Sequence, residues 1–287
     1  GVALSRENIH KLEEILTSGE FNRTTGADCH NVSVVESLQK MYENEIVRQF
    51  EDVRMNFSGV LFCCGNPLID ICVKSIIRKI SLNEENEDFI VKVNNTGTRL
   101  TVVENNQNFS HEKILAVVAF YEMKKGNDVV LLWDAPQIIT TLASELGRRA
   151  LRFSDYSNSA FNKTKNINTN QLWSADAVFL MFRLVKILVE ENKNLKELSE
   201  EIPEFYVAKK VMTIDSLPSV ISKELLKKDF KTDSGGGVTR KTKKGVVRVR
   251  NDNNGKSLKI ITEAVTTELA EELCGEIEKL ISIDIDT

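Results

Sequence analysis

The spacing of apolar residues along the chain predicts alternating helices and strands. In residues 4–21, apolar side chains recur every three or four positions from Ile9 to Leu16, with Ser5 as the N-cap of an amphipathic helix. Residues 34–50 repeat this spacing. Further helices are predicted from about Leu68, over 110–125, and over 136–147, 174–192, 217–230 and 266–281.

Between these helices lie short runs rich in β-branched and aromatic residues, which are typical of strands. The alternation of strand and helix predicts α/β layers with mixed, mostly parallel sheets. The tail after about Glu204 differs, because strands there flank glycine-rich turns and a closing helix, so we expect a separate small α+β module. The predicted strands are 59–64, 88–93, 100–103, 127–134, 149–155, 204–214, 245–251 and 257–264.

Composition limits the classes of partner. The chain has 287 residues, a formal net charge of −4 and a pI of about 5.7, which favours neither nucleic acid nor an anionic membrane. A basic run at residues 239–250 is interpreted as the solvated face of a hairpin. Five cysteines form no CxxC pair, and we recognise no signal peptide, so a cytoplasmic location is expected.

The most informative turn joins the strands at 88–93 and 100–103. It reads Asn-Asn-Thr-Gly-Thr-Arg from Asn94 to Arg99 and carries neutral side chains with a single cation. Elsewhere the three histidines are scattered, and Glu145, Asp155 and Asp176 form no convincing acid–base pair. The residues alone therefore predict no catalytic group.

Several segments, taken in order, resemble the α-D-phosphohexomutases, which include phosphomannomutase, phosphoglucomutase and phosphoglucosamine mutase. "GVLFCCGNPLIDICVKSII" is similar to the strand and helix that open the family's second domain, and "SADAVFLMFRLVKILVEENKNLKELSEEIPEFYVAKKV" to the end of its third. "KKGVVRVRNDNNGKSLKIITEAVTTELAEEL" resembles its fourth domain. Each segment is weak alone, and their shared order along the chain carries the resemblance.

The resemblance implies phosphoryl transfer by a serine, assisted by Mg²⁺ held on three aspartates of a "DGDxDR" loop. Aligned on Gly97 and Arg99, these aspartates fall on Asn94, Thr96 and Thr98. None of the three is a carboxylate, the ligand type that Mg²⁺ prefers. The chain therefore resembles a degenerate member without the metal-binding aspartates, and no metal cofactor is expected.

The other site loops of the family are altered as well. The catalytic-serine part of the first domain has no counterpart after Gly1, and the sugar-binding loop between Arg152 and Ala175 lacks Gly, Glu and His. The segment "RNDNNGKSLKIITEA" matches the fourth-domain phosphate loop in length. The residues that could retain phosphate binding there are Arg250, Asn251, Asn253, Asn254, Lys256 and Ser257.

The resemblance divides the chain into four parts: a remnant of the first domain, a shortened second domain, a third domain and a C-terminal α+β domain. We expect a pseudoenzyme with a binding, scaffolding or regulatory role, acting through a protein partner or self-association, while weak binding of hexose phosphate stays open. The alternative is a divergent phosphohexomutase of carbohydrate metabolism that uses Mg²⁺ and a serine loop outside this sequence. The four parts are 1–55, 56–108, 109–203 and 204–287.

Overall fold

The protein is described by a computed structural model covering residues 6–19, 36–50, 57–153, 171–214, 223–233, 237–251 and 257–285. Most predicted helices are present, and Ser110 caps the fourth by accepting a hydrogen bond from the backbone N–H of Lys113. The predicted helix over 217–230 lies partly outside these ranges. The helices are α1 (Arg6–Ser18), α2 (Glu36–Phe50), α3 (Pro67–Lys79), α4 (His111–Lys124), α5 (Ile138–Glu145), α6 (Ala177–Glu191), α7 (Leu195–Glu200) and α8 (Thr267–Ile285).

The strands form three sheets in the described part of the chain. A four-stranded sheet has the order β1-β2-β3-β4, a two-stranded sheet pairs β5 with β6, and a five-stranded sheet has the order β7-β11-β10-β9-β8. The strands are β1 (Leu61–Cys64), β2 (Phe89–Val93), β3 (Leu100–Glu104), β4 (Gln107–Phe109), β5 (Val129–Leu132), β6 (Ala150–Phe153), β7 (Tyr206–Thr213), β8 (Lys231–Thr232), β9 (Val238–Lys241), β10 (Gly245–Asn251) and β11 (Ser257–Ala264).

The fold is α/β with mixed sheets, as the sequence predicts, followed by an antiparallel sheet near the C-terminus. Parallel pairing joins β1 to β2 and β5 to β6, each pair being linked through a helix. The predicted predominance of parallel strands fails in the first sheet, because β2, β3 and β4 pair antiparallel. Their connections are tight turns, which are too short for the crossover that parallel strands require.

Two hydrophobic clusters form the core of the described part of the chain. The larger extends from Ile46 to Phe205, and α6 lies in it with ten buried side chains among its fifteen residues, as expected for a helix that is apolar on most sides. The smaller extends from Ile214 to Ile281 and lies between the five-stranded sheet and α8. We call the five-stranded sheet with α8 the C-terminal module. The division into four domains stays a prediction.

Candidate functional site

The turn between β2 and β3 is closed by its own backbone. The N–H of Asn94 donates to the carbonyl of Arg99 at 3.0 Å, and the N–H of Gly97 donates to the carbonyl of Asn94 at 3.0 Å. Gly97 has a φ of +69°, a conformation that glycine adopts without steric cost. This backbone brings the side chains of positions 94, 96 and 98 to the same side of the turn.

These three side chains converge on one point. The Oδ1 of Asn94 accepts the N–H groups of Thr98 and Arg99, which fixes the orientation of the amide and directs its Nδ2 inward. Nδ2 then donates to the hydroxyls of Thr96 at 2.9 Å and Thr98 at 3.2 Å, and the two hydroxyl oxygens lie 2.8 Å apart. Sequence reasoning identified the three positions but not their mutual hydrogen bonding.

This donor set does not fit Mg²⁺. It offers one amide and two hydroxyls, all uncharged, whereas Mg²⁺ is normally held by carboxylates in octahedral oxygen geometry. The Nδ2 of Asn94 is a hydrogen-bond donor directed at both hydroxyl oxygens, so this side chain presents N–H groups and no free oxygen to the point where the three side chains meet. Across the described part of the chain, no group of three His, Cys, Asp or Glu side chains could hold a metal ion.

Arg99, the last residue of this turn, lies in a cluster of charges with side chains from four other parts of the chain. Its guanidinium pairs with Glu112 at the start of α4 and lies 3.9 Å from Asp134, which follows β5. From the C-terminal module, Lys209 donates to Glu112 at 2.7 Å and Lys259 to Asp134 at 3.1 Å. Arg99 therefore belongs to a network of ion pairs that joins the β2–β3 hairpin and α4 to the C-terminal module.

The cluster surrounds a cavity of about 250 Å³ and perturbs several pKa values. Burial alone would raise the pKa of Glu112 and of Asp134, but Lys209 and the other nearby cations lower each to about 2. Burial, together with Arg99, lowers the pKa of His111 to about 4, so this imidazole is neutral at pH 7. Three cations thus face two carboxylates.

The expected phosphate loop is only partly described. Asn253, Asn254 and Lys256 lie outside the described residues. Arg250 lies at the end of β10, with its guanidinium carbon 5.5 Å from the ring centroid of Trp133. Asn251 and Ser257 are the terminal residues of β10 and β11, and Ser257 is buried. The described members of this set therefore include an arginine stacked on an aromatic ring.

Two further arginines were missed by sequence reasoning. Arg248 was assigned to a solvated hairpin face, but its side chain is 3% exposed and donates to the carbonyls of Trp133 at 2.6 Å and Ala135 at 2.7 Å. Arg152 on β6 donates to the same stretch of backbone. The hairpin itself is confirmed, since β9 and β10 pair antiparallel. The alternation of residues in β10 predicted one exposed face, whereas three consecutive residues in the middle of the strand are buried.

Asp176, for which the sequence suggested no partner, has a structural role in the protein. It is the N-cap of α6 and accepts from the N–H groups of Val178 and Phe179, while the hydroxyl of Tyr42 donates to it at 3.0 Å. Burial raises its pKa. The signal that could have identified this role is its position directly before a long apolar helix.

Comparison with known proteins shows the fold. No protein-family model and no curated protein sequence matches the chain significantly. A phosphoglucomutase/phosphomannomutase family protein from Burkholderia thailandensis superposes with a TM-score of 0.67 and 14% identity, covering 97% of this chain and 70% of its own. Parafusin, a phosphoglucomutase from Paramecium, gives 0.61 and 13%, covering 86% and 62%.

An N-acetylglucosamine-phosphate mutase of the α-D-phosphohexomutase superfamily gives a TM-score of 0.54 at 11% identity, covering 83% of this chain and 65% of its own. The chain therefore spans about two thirds of the length of these structures. The chain has the phosphohexomutase fold. At these identities the likeness shows the fold alone.

Proposed function

We propose that this chain is a phosphohexomutase-like protein that does not transfer phosphoryl groups through a metal in the turn of residues 94–99. The observation that carries the proposal is the closed hydrogen-bond set of Asn94, Thr96 and Thr98. These side chains occupy the positions that the resemblance assigns to metal-binding aspartates, and their polar atoms bond to one another.

Coulomb's law gives the difference between a carboxylate and a neutral oxygen in their attraction for a divalent cation. A carboxylate oxygen about 2.1 Å from a divalent cation contributes roughly 16 kcal/mol of gross attraction at an effective dielectric constant of about 20. Neutral hydroxyl and amide oxygens contribute only dipolar attraction. Mg²⁺ would also have to displace the Nδ2 hydrogen bonds of Asn94, so the turn favours its present state.

The two arginines carried over from the resemblance have other partners. Arg99 pairs with Glu112, and Arg250 lies over Trp133. A phosphate would therefore compete with existing contacts, which supports weak hexose-phosphate binding at most.

A binding, scaffolding or regulatory role through a protein partner or a second copy remains part of the proposal. Four large apolar side chains in the first two turns of α2 and α3 support it, because each is more than half exposed. A cytoplasmic location and a role connected with carbohydrate metabolism also belong to the proposal. These exposed side chains are Leu38, Met41, Leu68 and Ile71.

The deciding experiment is a coupled mutase assay on the full-length protein with glucose 1-phosphate and mannose 1-phosphate, with Mg²⁺ and with EDTA. We expect no Mg²⁺-dependent turnover. Turnover that requires Mg²⁺ and disappears in Arg250→Ala would refute the proposal and favour the divergent mutase. Calorimetric titration with the same hexose phosphates tests for binding. Saturable binding without turnover would indicate a sensor of phosphosugars.

A further inference from the structure

The segment from Trp133 to Ile138 runs from the end of β5 to the first residue of α5 and contacts several elements of the C-terminal module. We call it the latch segment. We call the part of the chain built around the larger hydrophobic cluster the body. The latch segment belongs to the body, since β5 and α5 pack into that cluster. The contacts with the module come from β7, β10 and β11, and from Asp233 and Gly237 between β8 and β9; Lys209 of β7 lies 3.8 Å from Asp134.

The first contact is made by Arg248 of β10. Its guanidinium donates to the carbonyls of Trp133 and Ala135, while Arg152 of the body donates to those of Ala135 and Pro136, both at 2.6 Å. The side chain of Arg248 is almost completely buried. Charge-assisted hydrogen bonds in such surroundings are stronger than those in water, and their geometry is specific.

The second contact is made by Glu263 of β11. Its carboxylate accepts from the backbone N–H groups of Gln137 at 2.5 Å and Ile138 at 2.7 Å. These groups lie at the N-terminus of α5, where the side chain of Gln137 makes no capping hydrogen bond. A residue of the module therefore caps a helix of the body.

The third contact surrounds the ring of Trp133. Its Nε1–H donates to Asp233 at 2.8 Å, and Asp233 also accepts from the N–H of Gly237 at 3.0 Å. A Cβ built on Gly237 would lie 3.2 Å from the indole ring, so the two groups are in close contact. The fourth contact is the pair of Lys259 with Asp134 at 3.1 Å.

From these contacts we propose that the latch segment holds the C-terminal module in one fixed position against the body. The module then unfolds together with the body, and the cavity around Arg99 and Lys259 does not open by rotation of the module. The reason is the combination of buried Arg248 and Glu263, whose hydrogen-bonding atoms point at the latch backbone. Rotation of the module would break the contacts together.

The test uses the whole chain and two variants, one on each side of the contact. Arg248→Met removes the hydrogen bonds to Trp133 and Ala135 and keeps most of the side-chain volume. Trp133→Phe removes the bond to Asp233 and keeps an aromatic ring. The matched control is Arg240→Met, because Arg240 lies on β9 with its guanidinium carbon 4.7 Å from the ring centroid of Phe230, a residue of the smaller hydrophobic cluster.

Differential scanning calorimetry and small-angle X-ray scattering give the readout. We expect one transition and a compact particle for the wild type and for Arg240→Met. In Arg248→Met we expect a second transition at lower temperature and a larger radius of gyration. Two independent transitions in the wild type would overturn the proposal, as would unchanged calorimetry and scattering in both latch variants.

Arg248→Met could instead unfold the module itself, which hydrogen exchange would show as loss of amide protection along β10 and β11. In that case Trp133→Phe decides, because its substitution lies in the body. If Trp133→Phe has a larger radius of gyration while the amides of β10 and β11 stay protected from exchange, the latch is supported. An unchanged radius of gyration in this variant refutes it.

Discussion

Restoring three carboxylates to the turn of residues 94–99 should create a divalent-cation site. The perturbation is the triple variant Asn94→Asp/Thr96→Asp/Thr98→Asp. In the structure the three side chains lie within 2.8 to 3.2 Å of one another, so three aspartates would place their oxygens around a common centre. The turn is exposed to solvent, and a cation could reach it.

The magnitude follows from the spacing. Three carboxylates about 4 Å apart repel by about 1 kcal/mol per pair in water, which gives about 3 kcal/mol of destabilisation without metal. The lost hydrogen bonds add to this. A cation at about 100 times its dissociation constant contributes about 2.7 kcal/mol in return. We therefore expect the melting temperature of the variant to fall in EDTA and to recover on addition of Mn²⁺.

The assay is thermal unfolding with and without Mn²⁺, together with electron paramagnetic resonance of bound Mn²⁺. The control adds the same charge at Asn83→Asp, Asn105→Asp and Asn194→Asp, which lie in three separate turns or caps. The side chains of Asn83 and Asn194 act there as hydrogen-bond acceptors, a role that aspartate keeps. The reasoning is refuted when the triple variant binds Mn²⁺ no better than this control.

Three further results are expected. The pKa values of Glu112 and Asp134 are lowered to about 2, so the stability they contribute is present above their unfolded pKa values of about 4 and is lost as the pH falls toward 2. Glu112→Gln should therefore reduce the dependence of the free energy of unfolding on pH between pH 4.5 and 2, measured by urea unfolding. The pKa of His111 is lowered to about 4, so protonation opposes folding and stability falls from pH 6.5 toward 4; His111→Asn should remove this slope in the same titration, and an unchanged slope would exclude His111 as its source. Gly237→Ala places a Cβ 2.7 Å from the carbonyl of Val249 and should destabilise by about 1–3 kcal/mol, whereas Gly275→Ala in α8 meets nothing within 4 Å and should stabilise by about 0.5–1 kcal/mol; equal effects in chemical denaturation would contradict the close packing of Gly237.

The fold could largely be predicted from sequence because its helices and strands carry local signals. Ser110 and the apolar run after it predicted α4, and the two β-branched runs around Asn94 predicted the β2–β3 hairpin. Strand β4 was not predicted, because its three residues are too few to show a strand pattern.

The candidate site was predicted in position and not in chemistry. Alignment on Arg99 located the turn, but the convergence of Asn94, Thr96 and Thr98 depends on backbone geometry that the sequence does not display. Arg248 and Glu263 are separated by more than 100 residues from the latch backbone they contact, and no local pattern records such a pairing.

The position of Trp133 gives the protein an intrinsic optical probe. The chain has two tryptophans, and Trp173 lies in the larger hydrophobic cluster, while the indole of Trp133 lies between Arg250 and Asp233. With Trp173 replaced by Phe, the wavelength of fluorescence emission would come from one ring alone. A shift toward the red would then report water entering beside that ring, without any added dye.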